Sequence, residues 1–202
     1  MAKGIMVVPY RDRAEHLAVF LEKQKEHDII VVEQENGKLF NRGKLLNIGF
    51  SESQTYDYFI FHDVDMIPVY ADYKPSISPC HLATKCEQFN YQMPGRDYFG
   101  GVVIMSKKHF SMVNGFPNEF WGWGAEDDEL RKRVVKAKLR VMHRNCRFAS
   151  LKHDHNKVEE VYQKNLEKLR APIDYNDGLN TLTYNIIQDS SSERVRHIVV
   201  SI

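Results

Sequence analysis

The sequence predicts an α/β fold that opens on parallel strands, and three observations carry that prediction. Short, continuous apolar runs recur at residues 5–8, 29–32 and 58–61, and such runs read as strands buried on both faces. Segments of helical periodicity separate them, giving the βαβαβ order of a parallel sheet. Charged clusters follow the first and third runs at once, at residues 9–13 and 63–65. In open α/β sheets, ligands gather at the C-terminal ends of the strands.

The elements follow in order. Residues 5–8 (Ile-Met-Val-Val) form the first strand, closed by Pro9. From residue 13 to 27 the pattern turns helical, with Leu17, Phe20, Leu21 and Gln24 at i, i+3, i+4 and i+7. Residues 29–32 are the second strand. Leu45, Ile48 and Gly49 predict a helix from about residue 41 to 53, with Asn41 as its N-cap. Residues 58–61 are the third strand and run directly into His62-Asp63-Val64-Asp65. Residues 68–95 hold four of the seven prolines and little periodicity, so they read as irregular. Residues 98–105 look like a strand containing Gly100-Gly101, and residues 107–113 like a short helix. A stronger helix covers residues 126–138, with Leu130, Val134 and Val135 assigned to one side. Residues 139–142 read as a late strand and residues 158–169 as a charged helix. Residues 194–202 alternate and read as an edge strand.

The chain has 202 residues, 43% hydrophobic and 27% charged, which suits one globular domain burying about 70% of its unfolded surface. The net charge is +1 with both signs interspersed. That excludes a nucleic-acid binder working by phosphate neutralisation and a polybasic membrane patch. No apolar run approaches the ~20 residues of a spanning helix, and the N-terminal run is shorter than a signal segment of about 7–15 residues. A cytoplasmic location is expected for a full-length microbial or viral protein, and the Golgi lumen for a domain separated from an anchor and stem. Cys80, Cys86 and Cys146 make no disulfide framework, though a Cys80–Cys86 bridge stays open. Without a CxxC pair, a cysteine zinc site is not expected.

Four segments carry chemistry. Asp63 and Asp65, spaced i, i+2 at a strand end, can share a divalent cation or divide their work between a metal and a sugar hydroxyl. The bland alternative is a solvated turn, but the apolar strand just before it favours a site. His153 and His155 point the same way in extended backbone and can reach one ion; the alternative is a polar turn. With Asp65 they make a mixed N/O set that points to Mn²⁺. In residues 120–129, Trp121 and Trp123 sit between glycines and lead into Glu126, Asp127, Asp128 and Glu129. Acids at a helix N-terminus are ordinary dipole chemistry. The density of aromatic, glycine and acid residues favours a sugar platform beside a catalytic base. Finally, Arg42 and Lys44 follow Asn41, where a helix N-terminus can meet phosphate, or simply form a solvated first turn.

Taken together, these segments resemble the β-1,4-galactosyltransferase family, the inverting, metal-dependent glycosyltransferases of family 7. The matching motifs are VVPYRDRAEHL (7–17), FNRGKLLNIGF (40–50), HDVDMIP (62–68), YFGGVVIMSKKHF (98–110), NGFPNEFWGWGAEDDE (114–129) and DGLNTLTY (177–184). They stand in the family's order and span nearly the whole chain. The resemblance implies a GT-A fold: a single Rossmann-like domain over residues 1–202 with a mixed central sheet flanked by helices. Residues 1–70 would form its nucleotide-sugar half and residues 96–190 its acceptor and catalytic half.

The resemblance also implies roles. Pro9, Tyr10, Arg11, Arg13, Phe40 and Arg42 match donor-binding positions, and Asp63, with Val64 beside it, matches the acid near the donor ribose and sugar. Asp65 and His153 match metal ligands. Trp123 matches the loop tryptophan that closes over the donor and, with Gly124, Glu126 and Asp127, lines the acceptor site; Asp127 is the expected base. Where many members carry a methionine, this chain has Ser150; the pair His153 and His155, and His62 before Asp63, look like the branch that acts on xylose. The DGLNTLTY ending looks equally like the branch acting on N-acetylglucosamine. Tyr98 matches the position that narrows the donor pocket against an N-acetyl group.

The expected activity is therefore Mn²⁺-dependent transfer of galactose from UDP-galactose to a glycan or glycoside hydroxyl, with other divalent cations as alternatives. The competing readings are an N-acetylgalactosaminyltransferase of the same fold, a catalytically silent sugar-nucleotide or glycan binder, and a metal-dependent phosphohydrolase.

Overall fold

The computed structural model describes residues 2–153 and 157–202. Strand β1 (Gly4–Tyr10) leads into helix α1 (Ala14–Lys23), strand β2 (Asp28–Gln34), helix α2 (Arg42–Ser51) and strand β3 (Tyr58–His62). The chain continues through β4 (Met66–Tyr70), β5 (Cys80–His81), β6 (Lys85–Cys86), β7 (Val102–Ser106), α3 (Lys107–Met112) and α4 (Glu126–Lys136). It closes with β8 (Met142–His143), β9 (Arg147–Ser150), α5 (Glu159–Arg170), β10 (Asn185–Ser191) and β11 (Val195–Ser201).

The main sheet has eight strands in the order β10-β11-β2-β1-β3-β7-β5-β8. Strands β11, β2, β1 and β3 run parallel, while β7 pairs antiparallel with β3 and β10 antiparallel with β11. The sheet is mixed, and the parallel part carries the continuous apolar runs. Alternate residues of those runs enter two cores. Ile5, Val7, Ile30, Val32, Phe59 and Phe61 pack on the side of α2 and α3. Met6, Val8, Ile29, Val31 and Ile60 pack on the side of α1 and the small sheet β4-β9-β6.

Several expectations change. Residues 194–202 do not make an edge: β11 lies between β10 and β2, pairing Val195 to Val200 with Ile29 to Gln34. The edge is β10, whose residues are all exposed, so it carries no burial period to read. The strand expected at residues 98–105 begins only at Val102, because Gly101 takes φ +76° and bends the chain. The late strand shrinks to Met142–His143. Residues 68–95, read as irregular, include β5, β6 and most of β4. On α4, Leu130 and Val134 are buried but Val135 is half exposed. The fully buried neighbour is instead Arg133, whose guanidinium donates to the Gly115 and Asp174 carbonyls at 3.3 and 3.2 Å. All three cysteines are buried and free, which closes the Cys80–Cys86 question. Among the described residues, no helix is long and apolar enough to cross a membrane.

Candidate active site

In such a sheet the binding crevice lies beyond the C-terminal ends of β1 and β3, where the strand order departs to either side of β1. Beyond β3, Asp63, Val64 and Asp65 make a turn: the Met66 N–H donates to the Asp63 carbonyl at 3.2 Å, and the Asp63 N–H to the Gly101 carbonyl at 3.0 Å. Val64 is buried in the core, which leaves the flanking carboxylates to point elsewhere.

A buried hydrogen-bond chain supports this turn from behind. Gln24 Nε2 donates to the Tyr73 hydroxyl at 2.9 Å. That hydroxyl stands 2.9 Å from His62 Nε2, and His62 Nδ1 stands 2.9 Å from the Asp63 carbonyl. A carbonyl only accepts, so Nδ1 carries the proton and Nε2 receives the tyrosine's. Burial lowers the His62 pKa to about 4, so the ring is neutral. Gln24 left a signal in the sequence, being a polar side chain that continues the apolar face of α1 just past its end. Tyr73 left none, since it lies in the irregular stretch.

Arg42 joins the two walls of the crevice. Asn41 caps α2, its Oδ1 accepting from the Lys44 N–H at 2.9 Å, and so places Arg42 in the first turn. Arg42 Nε donates to Asp63 Oδ1 at 2.6 Å and Nη1 to Glu126 Oε1 at 3.3 Å. Burial acts to lower the arginine's pKa, but the charges of Asp63, Glu126 and Asp127 outweigh it and raise it. Burial pushes the Asp63 carboxyl up to about 6 against the pull of Arg42. It pushes Glu126 up to about 7, with the neighbouring Asp127 adding to the rise. The phosphate role read for Lys44 does not fit: Lys44 is buried, and burial lowers its pKa.

The four acids of α4 divide. Glu126 and Glu129 are buried, Glu129 beside Arg133 and Lys132. Glu129 is thus a structural ion pair, and a buried acidic motif is less foreign to this fold than its composition suggests. Asp127 is part-exposed; its Oδ1 accepts from the Asp128 N–H at 2.9 Å, and a methyl group on Gly100 would collide with its Oδ2. The segment before α4 turns through positive φ at Gly122, Gly124 and Ala125. It is held by the Gly122 N–H donating to the Phe40 carbonyl at 2.8 Å. Asn165, the buried residue of α5, donates to the Trp121 and Gly124 carbonyls at 2.9 and 3.1 Å. Trp123 is 42% exposed, and its ring lies 5.2 Å from that of Tyr162.

The remaining candidates fall into place around this frame. Pro9 and Tyr10 end β1, and the Arg13 N–H donates to the Tyr10 hydroxyl at 3.2 Å. Arg11 lies 5.3 Å over the Phe40 ring and donates to the Lys38 carbonyl at 2.8 Å. Tyr98 stands beside Gly100, and burial raises its pKa, with Asp127 and Asp63 adding to the rise.

Asp65 Oδ2 lies 2.9 Å from His153 Nε2, with side chains 14% and 17% exposed. Burial acts to raise the Asp65 pKa, but the bond to His153 and its charge lower it overall. A carboxylate oxygen and an imidazole nitrogen at this separation fit a borderline divalent cation such as Mn²⁺. His155, expected as a third ligand, lies outside the described residues, among which no group of three or more candidate ligands forms. His16, not singled out in the sequence, has its ring 6.0 Å from that of His153.

Comparison with known proteins agrees with this frame. A profile of the N-terminal region of glycosyl transferase group 7 matches residues 1–74, and one described as the N-terminal domain of galactosyltransferase matches residues 80–157. The chain is 35% identical to human β-1,4-galactosyltransferase 1, over 92% of this chain and 51% of that protein. It is 34% identical to β-1,4-galactosyltransferase 2 of Cricetulus griseus, over 98% of this chain and 58% of that protein. The chain thus spans about half the length of the curated relatives it matches. The catalytic domain of Drosophila β-1,4-galactosyltransferase 7, solved with xylobiose, superposes with a TM-score of 0.80 at 29% identity, covering 100% of this chain and 94% of that one. A mutant of the same enzyme, solved with manganese, UDP-Gal and xylobiose, superposes at 0.83 with 28% identity over the same shares.

Proposed function

The chain belongs to the group 7 glycosyltransferase family, with its GT-A fold, and we propose that it is an inverting β-galactosyltransferase using UDP-galactose. The observation that carries this reading is the polar cluster at the strand ends. Arg42 holds Asp63 of one wall and Glu126 of the other, with the Asp65–His153 pair and Asp127 around them.

Asp65 and His153 would hold Mn²⁺, with His155 as a third ligand. Bound there, the ion supplies Lewis-acid stabilisation of the departing diphosphate. Pro9, Tyr10, Arg11, Phe40 and Asp63 bind the nucleotide and ribose, and Arg13 lies toward the diphosphate. Tyr98 crowds the space an N-acetyl group would need, which favours UDP-galactose over UDP-N-acetylgalactosamine.

Asp127 is the base. Glu126 is engaged with Arg42 and buried, whereas Asp127 is open to the crevice. It takes the proton of the acceptor hydroxyl as that oxygen attacks the anomeric carbon from the face opposite the diphosphate. A single displacement inverts the centre and gives a β linkage. Trp123 offers an aromatic face to the sugars and, with Gly124, screens them from water.

UDP release from UDP-galactose with Mn²⁺ tests the reading across xylosides, glucose, N-acetylglucosamine and an acceptor-free blank. Release stimulated by one acceptor and abolished by chelator is expected, and the responding acceptor identifies the branch. Equal release in every well points to a hydrolase. No release with UDP still bound points to a silent binder. Faster turnover of UDP-N-acetylgalactosamine would overturn the reading of Tyr98.

A further inference from the structure

We infer that His81 is a positioning residue for Asp127, acting through the Gly100 peptide; the inference rests on the galactosyl-transfer reading above. His81 lies on β5, fully buried, opposite Val103 of β7. Its Nε2 stands 2.9 Å from the Gly100 carbonyl. Because a carbonyl only accepts, Nε2 carries the proton. Nδ1 is left as a bare lone pair, buried and with no hydrogen-bond partner among the described residues.

A buried polar atom without a partner destabilises the fold, and native proteins hold few of them. Phenylalanine would fill the same space without that atom, whereas glutamine would keep a donor but on a flexible stem and with an amide oxygen of its own to bury. The gain that offsets the bare nitrogen is one rigid donor aimed at Gly100. This carbonyl also accepts from the Val102 N–H at 3.0 Å, so it is gripped from two sides.

Gly100 is where the base leans on the backbone. A methyl there would collide with the Asp127 carboxylate and press on the Tyr98 ring and hydroxyl. The next carbonyl, that of Gly101, accepts from the Asp63 N–H at 3.0 Å. The two glycines are therefore clamped between His81 and the acidic turn, with the carboxylate of Asp127 against their surface. The His81 ring also meets Tyr98 edge-on, with centroids 5.2 Å apart and planes at 85°. One buried imidazole thus braces both the support of the base and the wall that faces the donor sugar. Displacement of a reacting group by about 1 Å can cost roughly 10²-fold in rate.

Two full-chain variants separate the bond from the bulk. His81→Phe keeps a ring and removes the donor; His81→Gln keeps a donor and exchanges the bare nitrogen for an amide oxygen. Each is assayed beside wild type with Mn²⁺, UDP-galactose and the responding acceptor, and the same preparations are melted and titrated with UDP. The expected result for His81→Phe is UDP affinity within about twofold and a kcat loss of about 10- to 100-fold. His81→Gln is expected to stay within about threefold of wild type. Wild-type kcat in His81→Phe overturns the inference, as does a kcat loss in His81→Gln matching that of His81→Phe. If His81→Phe fails to fold, His81→Gln decides: retained kcat supports the inference, and lost kcat with intact UDP binding overturns it. Imidazole ¹⁵N NMR of wild type gives a readout independent of turnover, expected to show a neutral ring protonated at Nε2; protonation at Nδ1 alone overturns the inference. Wild type that transfers to no acceptor defeats the galactosyl reading instead.

Discussion

On the strand side of the crevice, Asp63 and Asp65 sit at the exit of a central strand, with a chain of neutral, mutually satisfied groups behind them. On the helix side, Trp123 sits on a segment bent through three positive φ angles, and Asp127 in the first turn of the helix it leads into. That segment is tied to α5 by the amide of Asn165. The first wall is held through buried groups of the core, and the second through a glycine-bearing loop docked on the surface helix α5. The difference matches the two partners proposed for them. A nucleotide diphosphate presents one geometry and rewards a rigid mount, whereas sugar acceptors differ in shape and are better met by a surface with adjustable parts.

The largest effect expected from breaking this contrast is at Asp127. Asp127→Asn should reduce transfer by roughly 10²–10⁴-fold while UDP titration stays at the wild-type affinity, because nothing on the strand side has changed. Equal loss of UDP binding would mean that the two walls are not separable.

A smaller effect is expected at Asn165. Asn165→Leu leaves the Trp121 and Gly124 carbonyls without their donor, an expected penalty of about 1–3 kcal/mol on α5 docking. Faster amide exchange across α5 and a raised acceptor KM should follow, with the donor KM unchanged. Trp121 and Trp123 are the chain's two tryptophans, so intrinsic fluorescence reports on this segment directly. A variant with an unaltered spectrum and exchange pattern would show that α5 is held by other contacts.

The smallest effect is in stability against pH, measured without metal. Glu126 titrates near 7 in the fold against 4.5 unperturbed, so between those values the folded state binds more protons than the unfolded one. Its contribution is fully present below about pH 4.5 and is lost as pH rises through about 7. Denaturant melts of Glu126→Gln should therefore fall off less steeply than wild type across that window. Parallel curves would place the titration elsewhere.

Legibility in the sequence follows the same division. The three parallel strands and the acids behind β3 were readable because continuous apolar runs have few other uses. Asn41 was readable as a cap because capping is local. His81, Tyr73 and Asn165 were not, since each acts on a backbone group or side chain at least eleven positions away. Gln24 was placed in line with the apolar face of α1 without its polar purpose being visible. β11 reads as an edge strand because a strand beside a covered neighbour and a strand at an edge can share one alternating pattern.

The position of β11 has a consequence for biosynthesis. During translation β2 is made before β11, the parallel neighbour that covers its outer flank, and β11 follows the other strands of the sheet. Until then a row of unpaired amides alongside Ile29–Val32 offers itself to any other extended chain. Between the synthesis of β2 and that of β11 this flank is therefore an aggregation hazard. Removing β11 should lower the yield of soluble protein by leaving that flank of β2 unpaired.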